Sequence, residues 1–383
     1  MAQIDFVSEI AVDAIEPYIL RIPLRAPVKT PMGMVDSTIA LLIRVTSQTG
    51  EEGWGEVWCN FPRFGAFHRA VLVKRVLEPL LKSRTFTGPR AAWDAMQATA
   101  NVLRLQSGET GPFAAAIAGI DIALWDIVGK RARQPIWKLL GGNSGSVNTY
   151  ASLGRSHGAG PLIEKAMQRG FRGFKLRVWG DVADHIGAYV AARKQIGDDM
   201  ALMADANQSW PVDRAAEWSK RFTDVRLAFL EEAIPVDAPL DAWRALARAA
   251  PTRIAGGENM LTAEMFEAAI GSGAYGVIQP DMCKWGGFSG ALPMAERIIA
   301  AGLRFCPHIF SGAPGLLASA HLLAASNSPD GALEYGIEYN PARDDFVQHE
   351  IRDGRLDLGD TPGLGVEIDM QQLLRYRVAT PEW

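Results

Sequence analysis

The chain has three cysteines, Cys59, Cys283 and Cys306, in no paired or CxxC spacing. That excludes a disulfide framework and a thiolate zinc site, and it reads as reduced packing thiols in a cytoplasmic protein. Charge of one sign is not concentrated anywhere. The 39 Lys and Arg stand scattered against 43 Asp and Glu, a net charge of −4, so there is no basic stripe and nucleic acid is not an expected partner. No uninterrupted apolar run reaches membrane-spanning length, since the richest stretch, 113–128, carries Asp121 and Asp126. A cationic leader with an apolar core is missing too, because Asp5 and Glu9 fall in the first nine residues. Low-complexity tracts are absent. The expectation is a soluble, untargeted chain, with no membrane partner, whose 383 residues and 48% apolar content can build a barrel and a smaller domain.

What is present is a recurrence. The apolar run 201–204 delivers Asp205, the run 227–230 delivers Glu231, and 253–257 delivers Glu258, so the acids stand 26 and 27 residues apart. That interval is one strand, one helix and two loops, the βα unit of a parallel barrel. Each acid alone reads as well as a helix cap or first-turn residue. Together, three carboxylates at successive strand ends converge on one point, where they repel unless a cation lies between them. All-oxygen ligation suits Mg²⁺.

Ahead of this rhythm, segments 10–23 and 38–47 alternate like an antiparallel pair, joined by a long loop over 24–37. A second loop over 51–65 carries Trp54, Trp58, Phe61, Arg63 and Phe64, and is either a satellite aromatic cluster or a binding element. Helical spacing follows over 69–81, 89–104 and 112–131, and a short helix from Pro135 ends at Gly141 and Gly142. Residues 1–142 are thus expected to form an α+β domain. From 143 to 340 the pattern predicts eight strands, near 147–152, 173–178, 200–205, 228–232, 253–257, 275–279, 303–308 and 332–335, with helices between most of them. Residues 341–383 are turn-rich and are expected to pack back on the first domain.

The other strand ends add to the acids. Alternation puts Lys175 and Arg177 on one face. Asp281, His308 and Glu334 follow at roughly the same interval. Singly these are barrel-end ion pairs, a turn cap or a satisfied core histidine, as His321 is expected to be. Together they read as one functional rim.

These residues resemble the enolase superfamily, in its mandelate racemase and muconate lactonizing branch. The resemblance spans the chain and includes 119–126, similar to a helix of the family's capping domain, and 361–367, similar to its C-terminal return. It implies a modified (β/α)₇β TIM-type barrel under an α+β cap, Mg²⁺ held by Asp205, Glu231 and Glu258, and a homo-oligomer acting on a small-molecule carboxylate. Asp281 with His308 resembles the racemase-like pairing, where the lactonizing pattern has a Lys near Asp281. Asn207 fits the same subgroup, Glu334 resembles the acid that hydrogen-bonds the substrate carboxylate, and Lys284 reads as structural.

The chemistry so implied is removal of a proton α to a carboxylate. The resulting enediolate would be stabilised by the metal, Lys175 and a protonated Glu334, with His308, oriented by Asp281, as base or acid. Where the family's second strand often ends Lys-x-Lys, this chain has Lys175-Leu176-Arg177. Arginine stays protonated and binds carboxylates or hydroxyls rather than accepting protons. One base suffices for elimination, so dehydration of a polyhydroxy sugar acid is the expected reaction. Racemisation or epimerisation with Lys175 as second base is the alternative, and a metal-binding barrel without activity the non-enzyme reading. Substrate contacts are sought among Arg25, Lys29, Asn60, Arg63 and His68, with Arg155 and His157.

Overall fold

The computed structural model describes residues 8–30, 33–62, 64–347 and 350–379. Near the N-terminus, β1 (Val12–Thr30), β2 (Gly33–Ser47) and β3 (Glu52–Val57) form an antiparallel sheet in that order. Two expectations are corrected here. Pairing of β1 with β2 continues beyond a register break between Pro23 and Val28 as far as Thr30↔Gly33, so most of the loop expected over 24–37 is an extended hairpin. Its prolines and glycine mimic a turn composition, but the backbone ladder resumes at Val28↔Val35. The stretch read as an aromatic loop begins as β3. Its glycines mark close approach rather than a turn: a Cβ on Gly53 or Gly55 would lie 2.1 or 2.0 Å from the carbonyl oxygens of Ala123 and Gly119.

Those carbonyls belong to the helix Thr110–Ala132. By length and composition it could cross a membrane, yet every residue from Phe113 to Gly129 is buried in protein. Its two buried acids tie three regions together. Asp126 accepts hydrogen bonds from the N–H groups of Trp54 (2.9 Å) and Leu364 (2.8 Å) and from Lys130 Nζ (2.8 Å). Asp121 accepts the N–H of Ser289, 3.0 Å away on the helix Gly287–Ala300, and burial pushes its pKa up to about 7.

The larger sheet runs through β4 (Ser146–Ser152), β5 (Gly173–Arg177), β6 (Ala201–Asp205), β7 (Phe229–Glu231), β8 (Arg253–Gly256), β9 (Val277–Ile278) and β10 (Arg304–Phe305), all parallel. β11 (Leu333–Gly336) pairs with β4. β10 and β11 form no ladder; the Glu334 N–H reaches Pro307 O at 3.4 Å. A hairpin of β12 (Ile351–Arg352) and β13 (Arg355–Asp357) adds antiparallel to β4. The chain then returns to the first sheet, where Val378 N–H donates to Ile19 O at 2.8 Å.

Alternation along these strands builds layers. Tyr150, Met203, Phe229, Ala255, Val277, Cys306 and Ala332 form their own buried cluster inside the barrel, while Leu202, Leu230, Ile254 and Ile278 join the core beneath the helices. Two residues further along the same strands stand Ser152, Asp205, Glu231, Gln279, His308 and Glu334. A period of two therefore places a polar layer directly on an apolar plug. Glu258 is one residue out of that period. Gly257, at φ 135°, makes the turn, and a Cβ there would lie 2.9 Å from the backbone nitrogen of Gln279. All three cysteines are free and buried, as expected.

His321, in the helix Ala313–Ala325, is a satisfied core histidine. Nδ1 accepts the Trp137 N–H (3.0 Å) and Nε2 donates to Leu364 O (3.2 Å), which fixes the neutral tautomer. Burial lowers its pKa from 6.5 to about 4. Between those values the unfolded chain binds the proton and the folded one does not, so its contribution is whole above pH 6.5 and is lost as pH falls towards 4. Urea unfolding at pH 7 and pH 5 is expected to show about 2 kcal/mol more stability loss in the unaltered protein than in His321→Asn. Equal losses would show that His321 titrates normally.

Candidate active site

Asp205, Glu231 and Glu258 each offer an oxygen within 4.8 Å of the others, and all three are buried. Asp205 Oδ1 is taken by the Asn207 N–H at 2.9 Å, leaving Oδ2 towards the centre. Glu231 is clamped by Lys175 Nζ, 2.8 Å from both its oxygens, and by Gln279 Nε2 at 2.8 Å. Lys175 Nζ also lies 2.8 Å from Glu334 and 3.4 Å from Asp205 Oδ2, which Arg177 contacts as well. Asp205 Oδ2 and Glu258 Oε2 nevertheless accept no hydrogen bond, although cations stand at ion-pair distance. Three convergent carboxylates, two of whose oxygens are met by charge but by no hydrogen bond, are an all-oxygen set that fits a hard divalent cation such as Mg²⁺.

The charge balance is visible in the acidities. Burial raises the pKa of Glu231, and Glu334 and Glu258 add to that against Lys175. Burial alone would raise Glu258 too, but His308, Lys284, Lys175 and Arg177 hold it below the ordinary range. Burial works against the Lys175 ammonium, yet Glu231 and Glu334 outweigh it and its pKa rises. The lowered lysine pKa that a second base requires is therefore not what the structure shows. Glu334 was expected to be protonated; although burial favours that form, Lys175, His308 and Arg177 lower its pKa and keep it a carboxylate.

Asp281 Oδ1 accepts the N–H groups of Cys283 (2.9 Å) and Lys284 (3.2 Å), which turns Oδ2 towards His308 Nδ1 at 2.9 Å. An ionised carboxylate only accepts, so Nδ1 carries the proton and Nε2 faces the triad, 3.0 Å from Glu258 Oε2. Burial would lower the His308 pKa, but Glu258 and the Asp281 hydrogen bond push it up to about 9. Lys284 is more than structural. Its Nζ donates to Asn259 Oδ1 at 3.0 Å, lies 3.7 Å from Glu258 Oε1 and sits 4.4 Å above the Trp58 ring, so it sets charge at a triad acid.

A cavity of about 270 Å³ between the β1–β2 hairpin and the barrel loops meets this cluster at Arg177 and Glu334. Arg177 NH1 donates to Asn207 Oδ1 at 2.8 Å, so these two residues hold each other at the cavity's inner end. Asn60 lines the cavity; its side chain donates to Phe310 O. Arg155 pairs with Glu338 at the cavity's edge, whereas His68 pairs with Glu109 and His157 rests against His185. Arg63 lies outside the described residues, as do the side chains of Arg25 and Lys29, whose backbone belongs to β1. Sequence reasoning passed over Gln279, Asn259 and Glu56. Gln279 shares the two-residue offset of the acids and was within reach. Glu56 caps the turn after His308, accepting the Gly312 (2.7 Å) and Gly315 (2.9 Å) N–H groups, and burial pushes its pKa up to about 7.

Residues 161–372 match the enolase C-terminal domain-like family, and residues 14–141 match the mandelate racemase / muconate lactonizing enzyme N-terminal domain. The chain belongs to the enolase superfamily. Within it, the N-terminal domain match and the solved structures place it in the mandelate racemase-like subgroup. It is 30% identical to D-galactarolactone cycloisomerase of Agrobacterium fabrum over 97% of this chain and all of that one. It is 31% identical to arabinonate dehydratase of Saccharolobus solfataricus over 78% and 80%. Among solved structures, a mandelate racemase/muconate lactonizing enzyme from Bordetella bronchiseptica RB50 superposes with a TM-score of 0.89 at 40% identity, covering 96% of this chain and 100% of that one. An enolase from Bradyrhizobium complexed with magnesium and mandelic acid gives 0.85 at 27%, over 97% and 99%.

Mg²⁺ at 100 times its Kd is expected to stabilise the fold by about 2.7 kcal/mol, read as a rise in the urea midpoint. Asp205→Asn should abolish that gain. A variant that keeps it would place the ion elsewhere.

Proposed function

We propose that the chain is a Mg²⁺-dependent hydro-lyase that converts a polyhydroxy sugar acid to a 2-keto-3-deoxy acid. The observation that carries this is the asymmetry of the proton-transfer groups. His308 is oriented by Asp281 with Nε2 towards the triad, whereas Lys175 is locked among three carboxylates and Arg177 stands where a second basic group would be needed. The similarity to an arabinonate dehydratase and a D-galactarolactone cycloisomerase supports a substrate of the sugar-acid kind, and the magnesium-bound relative supports the ion.

Asp205, Glu231 and Glu258 would hold Mg²⁺, which supplies positive charge against carboxylate oxygens where negative charge grows. His308 Nε2 takes the proton from the α-carbon, and the C–H electron pair becomes the enediolate π-bond. For this His308 must be neutral, and a cation held at Glu258 would offset the carboxylate charge that raises its pKa. The ammonium of Lys175 neutralises the developing oxyanion charge. As the enediolate collapses, the bond to the β-hydroxyl breaks and the imidazolium of His308 returns its proton to that oxygen, releasing water. The enol product then ketonises. Asp281 keeps Nδ1 protonated throughout, so Nε2 does both transfers.

Incubation with Mg²⁺ and a sugar-acid library is expected to yield 2-keto-3-deoxy products, and His308→Asn to lower kcat by about 10²- to 10⁴-fold. If His308→Asn dehydrates at the full rate, the assigned base is wrong. Deuterium entering the α-position of a recovered epimer, with no keto acid formed, would favour the epimerase instead.

A further inference from the structure

The two ends of the cavity differ in chemistry. Its inner end has Arg177, Glu334 and Ser152, next to the reactive cluster. Away from those groups most of the exposed lining is apolar, with Leu24, Val35 and Ile39 of the β1–β2 hairpin and Phe61, Phe310 and Leu316 of other segments, beside polar groups such as Asn60 and Asn340. Phe61 and Phe310 stack within 8° of parallel, 6.4 Å apart, and Phe310 is 51% exposed. Such a surface gains free energy when an apolar group covers it. The charged groups near this end do not favour an anion. Glu338 is itself a carboxylate, held by Arg155 at 2.6 Å and by the Gly154 N–H at 3.2 Å. Arg343 is 5% exposed and spends its guanidinium on Gly336 O, Glu338 O and the Asp344 carboxylate. Among the described residues, the cations lining the cavity are thus Arg177, at the inner end, and Arg343, already committed.

We infer that the substrate is a monocarboxylate whose end remote from the reacting carbon is uncharged and apolar, as in a terminal-deoxy sugar acid, and that dicarboxylates are rejected. The inference rests on the dehydration reading above. A second carboxylate laid against these walls would be stripped of water beside Glu338, with no uncommitted cation among the described residues of the outer lining to meet it, whereas a terminal methyl group would cover Phe310 and the hairpin. The discrimination comes from a desolvated, unpaired charge as well as from a favourable apolar contact.

The test compares an aldonate, its terminal-deoxy counterpart and the corresponding aldarate, all of one configuration at carbons 2 and 3, on the Mg²⁺-loaded enzyme. kcat/KM is expected to rank the terminal-deoxy acid first and the aldarate last, with at least about a tenfold span. Phe310→Arg, at a half-exposed position, should raise kcat/KM for the aldarate by about tenfold, and Val35→Arg on the opposite wall should do the same. The aldarate as best substrate of the unaltered enzyme, or a ranking that neither arginine moves, overturns the inference and leaves dehydration standing. Solvent deuterium at the α-carbon without any keto acid would overturn dehydration instead. The ranking of exchange rates over the same panel would then support or overturn the selectivity by the same criteria.

Discussion

Three buried carboxylates within 4.8 Å of one another repel by roughly 3 kcal/mol per pair even at an effective dielectric of 20. The rest of the barrel's polar layer answers that repulsion. Lys175 reaches Asp205, Glu231 and Glu334 from one strand end, Arg177 meets Asp205, and His308 and Lys284 flank Glu258. The same contacts that make the triad tolerable in the fold also fix the protonation of each partner. A cation added at the centre would redistribute charge through all of them at once, and a substitution at one of these residues changes the acidity of the others.

The cap takes part in that balance through β3. Glu56 holds the backbone turn that follows His308, and Trp58 supplies the ring beneath Lys284. The Trp58 N–H also donates to Cys283 O, in the loop whose first residue, Asp281, orients His308. Two residues of one short strand and its exit, Glu56 and Trp58, thus reach the turn after His308, the loop that begins at Asp281 and the lysine beside Glu258. The hairpin formed by β1 and β2 meanwhile contributes one wall of the cavity. Different strands of the same sheet thus meet the His308 cluster and the cavity.

What the sequence disclosed followed from periodicity. Every barrel strand lies within two residues of its expected start or end at one terminus or both, because buried parallel strands are short apolar runs bounded by clear breaks, and the acids mark their ends. The site's geometry followed from the same alternation. What stayed hidden depended on contacts across the chain. Gly53 and Gly55 read as loop residues until the helix Thr110–Ala132 is laid against them. Lys284 reads as structural until Gly257 turns Glu258 inward to meet it. The protonation of Glu334 depends on a lysine 159 positions earlier in the chain, 2.8 Å away, which no local pattern reveals.

Asp126 carries a consequence for how the molecule is made. Its carboxylate is shared by Trp54, Lys130 and Leu364, groups contributed by the early, middle and late parts of the chain. During synthesis the first sheet and its helix emerge well before Leu364 does, and until then one oxygen of a fully buried acid lacks its backbone donor. The cap is accordingly translated before the barrel, yet its buried acid is fully bonded only after the barrel has been made. The whole barrel, whose last strand ends at Gly336, is made before Leu364 can supply that bond.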